Sequence, residues 1–171
     1  MIGPKVQEAF NEQLNAELFS AYLYLSMSAH FEAASFKGMA AWMRLQAQEE
    51  VGHAMRFYKF INDRNGRVTL TQVEAPKTQW KSPLDVFEDA YKHECKITAA
   101  INDEMSLAFA EKDHAAHTFL EWLINEQVEE EATVSTIVDQ LKLVGDNGMA
   151  LFLIDQELGQ RKPAASTATA E

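Results

Sequence analysis

The sequence predicts an all-α protein: a four-helix bundle with a long crossover between its second and third helices and a short fifth helix. Three observations carry that reading. Apolar residues recur at helical spacing over long stretches, and glycine and proline, 7 and 4 of 171 residues, fall where helices can end. One internal stretch, RVTLTQVEAPKTQWK from Arg67 to Lys81, has no helical period and contains Pro76. With 47% hydrophobic residues the chain is long enough for one well-buried core and short for two. A single domain over residues 1–160 and a small, polar, disordered tail over 161–171 are therefore expected.

The elements follow in order. A first helix begins at Pro4, carries the stripe Phe10, Leu14, Ala21 and Leu25, and ends near Ser35. The second runs from Phe36 or Lys37 to Asn65, with Gly66 as its terminator. The aperiodic stretch is too long for a tight turn and suits a connection running the length of a bundle. Ser82-Pro83 then reads as a cap followed by proline in the first helical position, opening a third helix that reaches about Lys112. Asp113 caps a fourth, which continues to Val144 before Gly145, and a short amphipathic fifth spans Asn147 to Leu158 and stops at Gly159. Each long helix measures roughly 42 to 46 Å at its rise of about 1.5 Å per residue. Met27, Met43, Met55 and Met105 read as core filler.

Charge and cysteine content exclude several classes. Fifteen basic against 26 acidic residues give a net charge of −11, which repels polyanions and attracts cations, so nucleic acid is not an expected partner. No apolar stretch approaches the ~20 residues that cross a bilayer, so no membrane association is expected. The single Cys95 forms no internal disulfide, and the start MIGPKVQEAF lacks the apolar run of a signal peptide, which together point to the cytoplasm.

The chemistry lies in a pattern that breaks the core stripes. Glu17 falls among Phe10, Leu14, Ala21 and Tyr24, and Glu50 lies midway between Met43 and Phe57 with His53 one turn on. Glu94 lies among Phe87, Tyr91, Ile97 and Ile101, and Glu130 among Leu123, Val134 and Ile137 with Gln127 one turn earlier. One inward glutamate is usually a misjudged edge position; four, one per long helix and all in mid-helix, need another cause. Burying an unpaired carboxylate costs several kcal/mol or forces protonation. Lys and Arg are missing from these stripes at that level, so a bound cation is the expected compensation. Carboxylate oxygens with one imidazole suit iron or manganese better than structural zinc. Glu50 and His53, at i and i+3, converge on one point, and such Glu-x-x-His motifs with carboxylates from neighbouring helices build di-iron sites in bundles. Cys95 is turned about 100° from Glu94 and is not expected to be a ligand. His93, His114 and His117 are expected at the surface.

Glu17, the QEEVGH segment with Glu50 and His53, the YKHE segment with Glu94, and NEQVEEE on the fourth helix resemble the non-haem ferritins of bacteria and archaea over about residues 5 to 160. The resemblance implies a ferritin-like fold and iron storage with ferroxidase activity. Fe(II) would be oxidised by O2 or peroxide and kept as a ferric mineral inside a cage of twenty-four identical subunits. It assigns Glu17, Glu50 and His53 to one iron and Glu50, Glu94 and Glu130 to the second, with Glu50 bridging. Gln127 corresponds to a glutamine that hydrogen-bonds near the pair. Glu49, Glu126, Glu129 and Glu130 correspond to a third iron site, and Tyr24 and Trp122 to aromatics proposed to donate electrons; both are equally readable as core aromatics. Bacterioferritins carry a second Glu-x-x-His on the fourth helix and a haem-binding methionine, where this chain has Gln127, Glu130 and Val51, so no haem is expected. The acidic channel positions of animal ferritins align with His117 and Leu120. Two other readings compete. A rubrerythrin-type di-iron peroxidase is weakened by the missing second Glu-x-x-His and the absence of Cys-x-x-Cys, and a bundle that only mediates contacts leaves the inward carboxylates without a cause.

Overall fold

Prolines and short polar side chains decide where the helices begin. A computed structural model describes residues 1–163, and among these it contains helices and no strands. The helices are α1 (Pro4–Ala33), α2 (Lys37–Asp63), α3 (Pro83–Ala110), α4 (His114–Val144) and α5 (Gly148–Leu158). Pro4 and Pro83 open α1 and α3, where the missing N–H would have no intrahelical partner. Ser82, Asp113 and Asn147 cap α3, α4 and α5 by accepting from the amides of Asp85, Ala116 and Ala150 at 3.0 to 3.2 Å. α2 has no cap of its own. Its Met39 amide donates instead to Asp155 Oδ1 of α5, 2.8 Å away, and Gly38 lets the two elements touch: a β-carbon there would lie 1.6 Å from the Asp155 carbonyl oxygen.

The first three helices stop in one way. Ser35, Asn65 and Lys112 adopt left-handed backbone, with φ of 65°, 56° and 56°. The amides of Phe36, Gly66 and Asp113 then return to the carbonyls of Phe31, Ile61 and Ala108 at 2.9 to 3.0 Å, closing a Schellman turn at each end. Gly66 thus ends α2 as expected but does not supply the left-handed residue, which is Asn65. Glycine is needed because Ile2, Gln7 and Ile61 crowd it within 2.9 Å of where a β-carbon would stand.

α1 packs on α2 and α3 on α4, each pair joined by a short turn and therefore antiparallel. The crossover from α2 to α3 climbs along α1 in extended form. Asn11 and Asn15 face it one turn apart, each donating to a carbonyl, of Arg67 and Thr69, and accepting from an amide, of Thr69 and Thr71, at 2.7 to 3.0 Å. Two asparagines thereby do for this segment what a neighbouring strand would do. Trp80 anchors its end, donating to Asp89 Oδ2 at 2.8 Å.

The core is divided into two apolar bodies. One gathers Tyr24, Met27, Phe31, Met43, Phe87 and Ile137 with α5, and the other Phe10, Leu14, Phe57, Ile101, Leu120 and Leu123. Between them lies a layer of buried Glu17, Gln46, Glu50, His53, Glu94 and Gln127. Two apolar residues expected in the core are not there: Leu25 is 51% and Met55 53% exposed. Both lie on the outer face of the α1–α2 pair, with Tyr22 and Val51. The disordered tail expected from 161 falls mostly on residues 164–171, outside the described residues; Arg161 turns back onto the bundle.

Candidate metal centre

Each long helix delivers one carboxylate to the polar layer, and buried glutamines hold them. Gln13 donates to Glu17 Oε1 at 2.8 Å from one turn earlier on α1. Gln46, equivalently placed on α2, donates to Glu50 Oε1 at 2.9 Å and across the bundle to Glu130 Oε1 at 2.8 Å. Gln127 on α4 donates to Glu94 Oε2 at 2.7 Å, and the Tyr24 hydroxyl donates to Glu94 Oε1. Neither Gln13 nor Gln46 stood out in the sequence. Their signal was a glutamine four residues before an inward glutamate, on the same face.

Glu17, Glu50 and His53 form the tightest group, each offering one ligand atom within 4.8 Å of the others. His53 Nδ1 lies 3.4 Å from Glu50 Oε2 and 3.9 Å from Glu17 Oε2, and that Glu17 oxygen is buried with no hydrogen-bond partner among the described residues. An orphaned carboxylate oxygen beside an imidazole and a second carboxylate is what a cation would satisfy, so the residues fit a metal. Glu94 and Glu130 border this triad but are engaged by Tyr24, Gln127 and Gln46.

Electrostatics sets the protonation of the layer. Burial, and then the charge of Glu50, push Glu17 well above the usual carboxyl range. The same two causes raise Glu94 to about 7 and Glu130 to about 10. Glu50 goes the other way: burial would raise it, but His53, with help from Glu17 and Gln46, outweighs burial and holds it below its ordinary value. Without metal, Glu50 is therefore the clearly ionised member of the four carboxyls, Glu17 and Glu130 retain protons that a cation would displace, and Glu94 is poised near neutrality. Burial and the nearby Glu94 also push the Tyr24 phenol well above its usual range.

Beside this layer a cleft of about 540 Å³ is lined by Glu49, Glu126, Glu129 and Glu130 together with Trp42, Trp122, Arg56 and Arg161. The residues implied for a third iron thus share one wall-lined space. Trp122 Nε1 donates to Glu126 Oε1 at 3.2 Å and its ring meets His53 at 5.2 Å. The stripes of the long helices lack Lys and Arg at this level, yet a basic side chain arrives from outside them. Arg161 donates to Glu49 and, at 2.9 Å, to Gln46 Oε1. Its approach depends on how α5 docks, which no periodicity reveals.

Other expected positions divide. Cys95 is exposed and His114 lies at the surface. His93 is only partly exposed, its Nε2 2.7 Å from Ser20 Oγ, and burial lowers its pKa. His117 is partly exposed, whereas Leu120 is fully buried among bundle side chains and lines no surface channel.

Comparison with known proteins agrees with this arrangement. Residues 7–144 match the ferritin family, described as a ferritin-like domain. A bacterial non-heme ferritin from Bacteroides fragilis (strain 638R) is 45% identical over 161 residues, 94% of this chain and all of that protein. One from Escherichia coli O6:H1 is 39% identical over 158 residues, 92% of this chain and 96% of its own. Among solved structures, an open-pore ferritin from the archaeon Archaeoglobus fulgidus superposes with a TM-score of 0.94 at 47% identity, covering 95% of this chain and all of that one.

Proposed function

The chain belongs to the ferritin-like domain family, and from that premise we propose that it stores iron and oxidises it on entry. The observation that carries the reading is the triad Glu17, Glu50 and His53 with its orphaned oxygen, bordered by Glu94 and Glu130. One Fe(II) is held by Glu17, Glu50 and His53, and a second by Glu50, Glu94 and Glu130 after Gln46 and Gln127 release their oxygens. Glu50, the ionised member, bridges. Each Fe(II) gives up one electron, and O2 takes both with two protons to leave as hydrogen peroxide. Where peroxide is the oxidant, two electrons and two protons convert it to two waters. Holding both irons on oxygen ligands at once lowers the barrier by proximity and favours the ferric state. When O2 is taken on to two waters, four electrons and four protons are consumed, and Tyr24 supplies one electron beyond those of the paired irons and a third Fe(II).

The outer carboxylates Glu49, Glu126 and Glu129, with Glu130, hold a third iron in transit to the mineral. The mineral fills a homo-oligomeric cage of twenty-four subunits, in which exposed apolar residues such as Leu25, Val51 and Phe152 become buried. Among the described residues, no helix is long and apolar enough to cross a membrane. The exposed, unpaired Cys95 thiol suits the reducing cytoplasm. Haem plays no part, since Val51 offers no donor atom.

Anaerobic Fe(II) soaking of crystals, with native mass and iron content of the particle, tests this. Two metal peaks at the paired positions and a large, iron-filled particle are expected. A small oligomer with only two irons per chain would instead indicate a rubrerythrin-type peroxidase, and an absence of metal would leave only a contact module.

A further inference from the structure

The cleft outside the paired site already contains a cation, supplied by the chain. Arg161 lies just beyond α5 and reaches back to α2, where Nη2 donates to Glu49 and to Gln46 Oε1. Its Cζ stands 4.5 Å from the centre of the Trp42 ring. Nη1 is buried in the same cleft and has no hydrogen-bond partner among the described residues. Arg161 is thus half engaged: one nitrogen is bonded, and the other is enclosed in a space shared with Glu126, Glu129 and Glu130. A staple that only pinned the tail would leave no buried donor without an acceptor, because such a donor costs stability. The guanidinium stays charged at all relevant pH values. Through Gln46 it also reaches inward, since the amide that accepts from Arg161 gives its two hydrogens to Glu50 and Glu130.

We propose that Arg161 is a tethered counter-ion of the outer carboxylates, which the third Fe(II) must displace from Glu49. An iron on Glu49 Oε2 and the guanidinium on that same oxygen are mutually exclusive, so the arginine weakens the outer site and keeps iron moving through it. Its departure also frees Gln46, and so links occupancy of the outer site to the hold on Glu50 and Glu130. The proposal rests on the third-site reading above.

The test is anaerobic Fe(II) titration of the assembled native protein, Arg161→Ala and Arg161→Lys, read by calorimetry, with Fe(II)-soaked crystals of each. In Arg161→Ala the outer iron is expected to bind roughly tenfold tighter, equivalent to about 1.4 kcal/mol. Arg161→Lys, which keeps the charge, is expected to stay close to native, and the two-iron stoichiometry of the paired site to hold in all three. In native crystals, Arg161 is expected to have left Glu49 wherever the outer peak is filled. An outer peak in native crystals with Arg161 still on Glu49, or an Arg161→Ala protein that titrates like native, overturns the proposal while the third site stands. If neither native nor Arg161→Ala crystals show an outer peak, the third site itself is lost and the proposal with it. A change in melting temperature alone, without a change in iron affinity, makes Arg161 a staple and also overturns it.

Discussion

At the scale of single residues, the inward carboxylates were legible because each violates the stripe it belongs to, whereas the glutamines that hold them were not, because glutamine is unremarkable on a helix surface. Gln46 now stands as the residue that orients both Glu50 and Glu130. Outer partners of metal ligands are typically worth 10- to 100-fold in affinity or rate, so Gln46→Ala is expected to slow initial Fe(II) oxidation by roughly 10-fold while the cage still assembles. Stopped-flow absorbance decides it; an unchanged rate would remove Gln46 from the site. Glu50→Ala, which removes the bridge itself, is expected to abolish the fast phase altogether. Protonation gives a third outcome with a definite sign. Glu94 is raised from an ordinary 4.5 to about 7, so metal binding must expel its proton at pH 6 but finds it mostly gone at pH 8. Proton release on binding Zn(II) or anaerobic Fe(II) should fall by roughly 0.8 proton per chain across that interval, measured by pH-stat. Glu130, raised to about 10, is protonated at both ends and does not mask the change. The same shifts give Glu94 and Glu130 a contribution to metal-free stability that is present below about 4.5 and lost as pH rises through 7 and on toward 10.

At the scale of elements, helix starts were readable wherever a cap lies beside the helix in sequence, as at Ser82, Asp113 and Asn147. The start of α2 was also placed correctly, at Phe36 or Lys37, but what caps it was not legible, because Asp155 arrives from α5. That dependence makes Gly38 a sharp test. In Gly38→Ala the added carbon would overlap the Asp155 carbonyl, so α5 must shift, the Met39 amide loses its acceptor, and stability should fall by about 1–3 kcal/mol in chemical unfolding. Native stability in this variant would mean α5 docks elsewhere. Helix ends were half readable: the positions of the stops followed from the sequence and Gly145 takes the positive φ after α4, but at the ends of α1, α2 and α3 the left-handed residue is Ser35, Asn65 or Lys112. A non-glycine residue pays in backbone strain there, so Lys112→Gly should raise stability by about 1 kcal/mol.

At the scale of the whole molecule, the bundle and its crossover were legible because long periodic stretches and one long aperiodic stretch allow few other arrangements, while the surfaces that meet other subunits were not. An apolar residue on an exposed helix face has the same spacing as one facing the core, and Leu25 and Met55, both exposed, were misread for that reason. The double change Leu25→Glu with Val51→Glu should therefore leave each subunit folded but shift the native particle to smaller species, as seen by native mass spectrometry. An intact large particle would place the contact on another face. The two apolar bodies on either side of the carboxyl layer carry a consequence for how the subunit breathes. In an ordinary bundle the slowest hydrogen exchange lies at mid-helix, deepest in the core. Here the middle of every long helix crosses the polar layer, so amide protection in the metal-free protein should rise, dip near Glu17, Glu50, Glu94 and Glu130, and rise again. Metal binding should fill that dip and merge two separately opening halves into one cooperative unit.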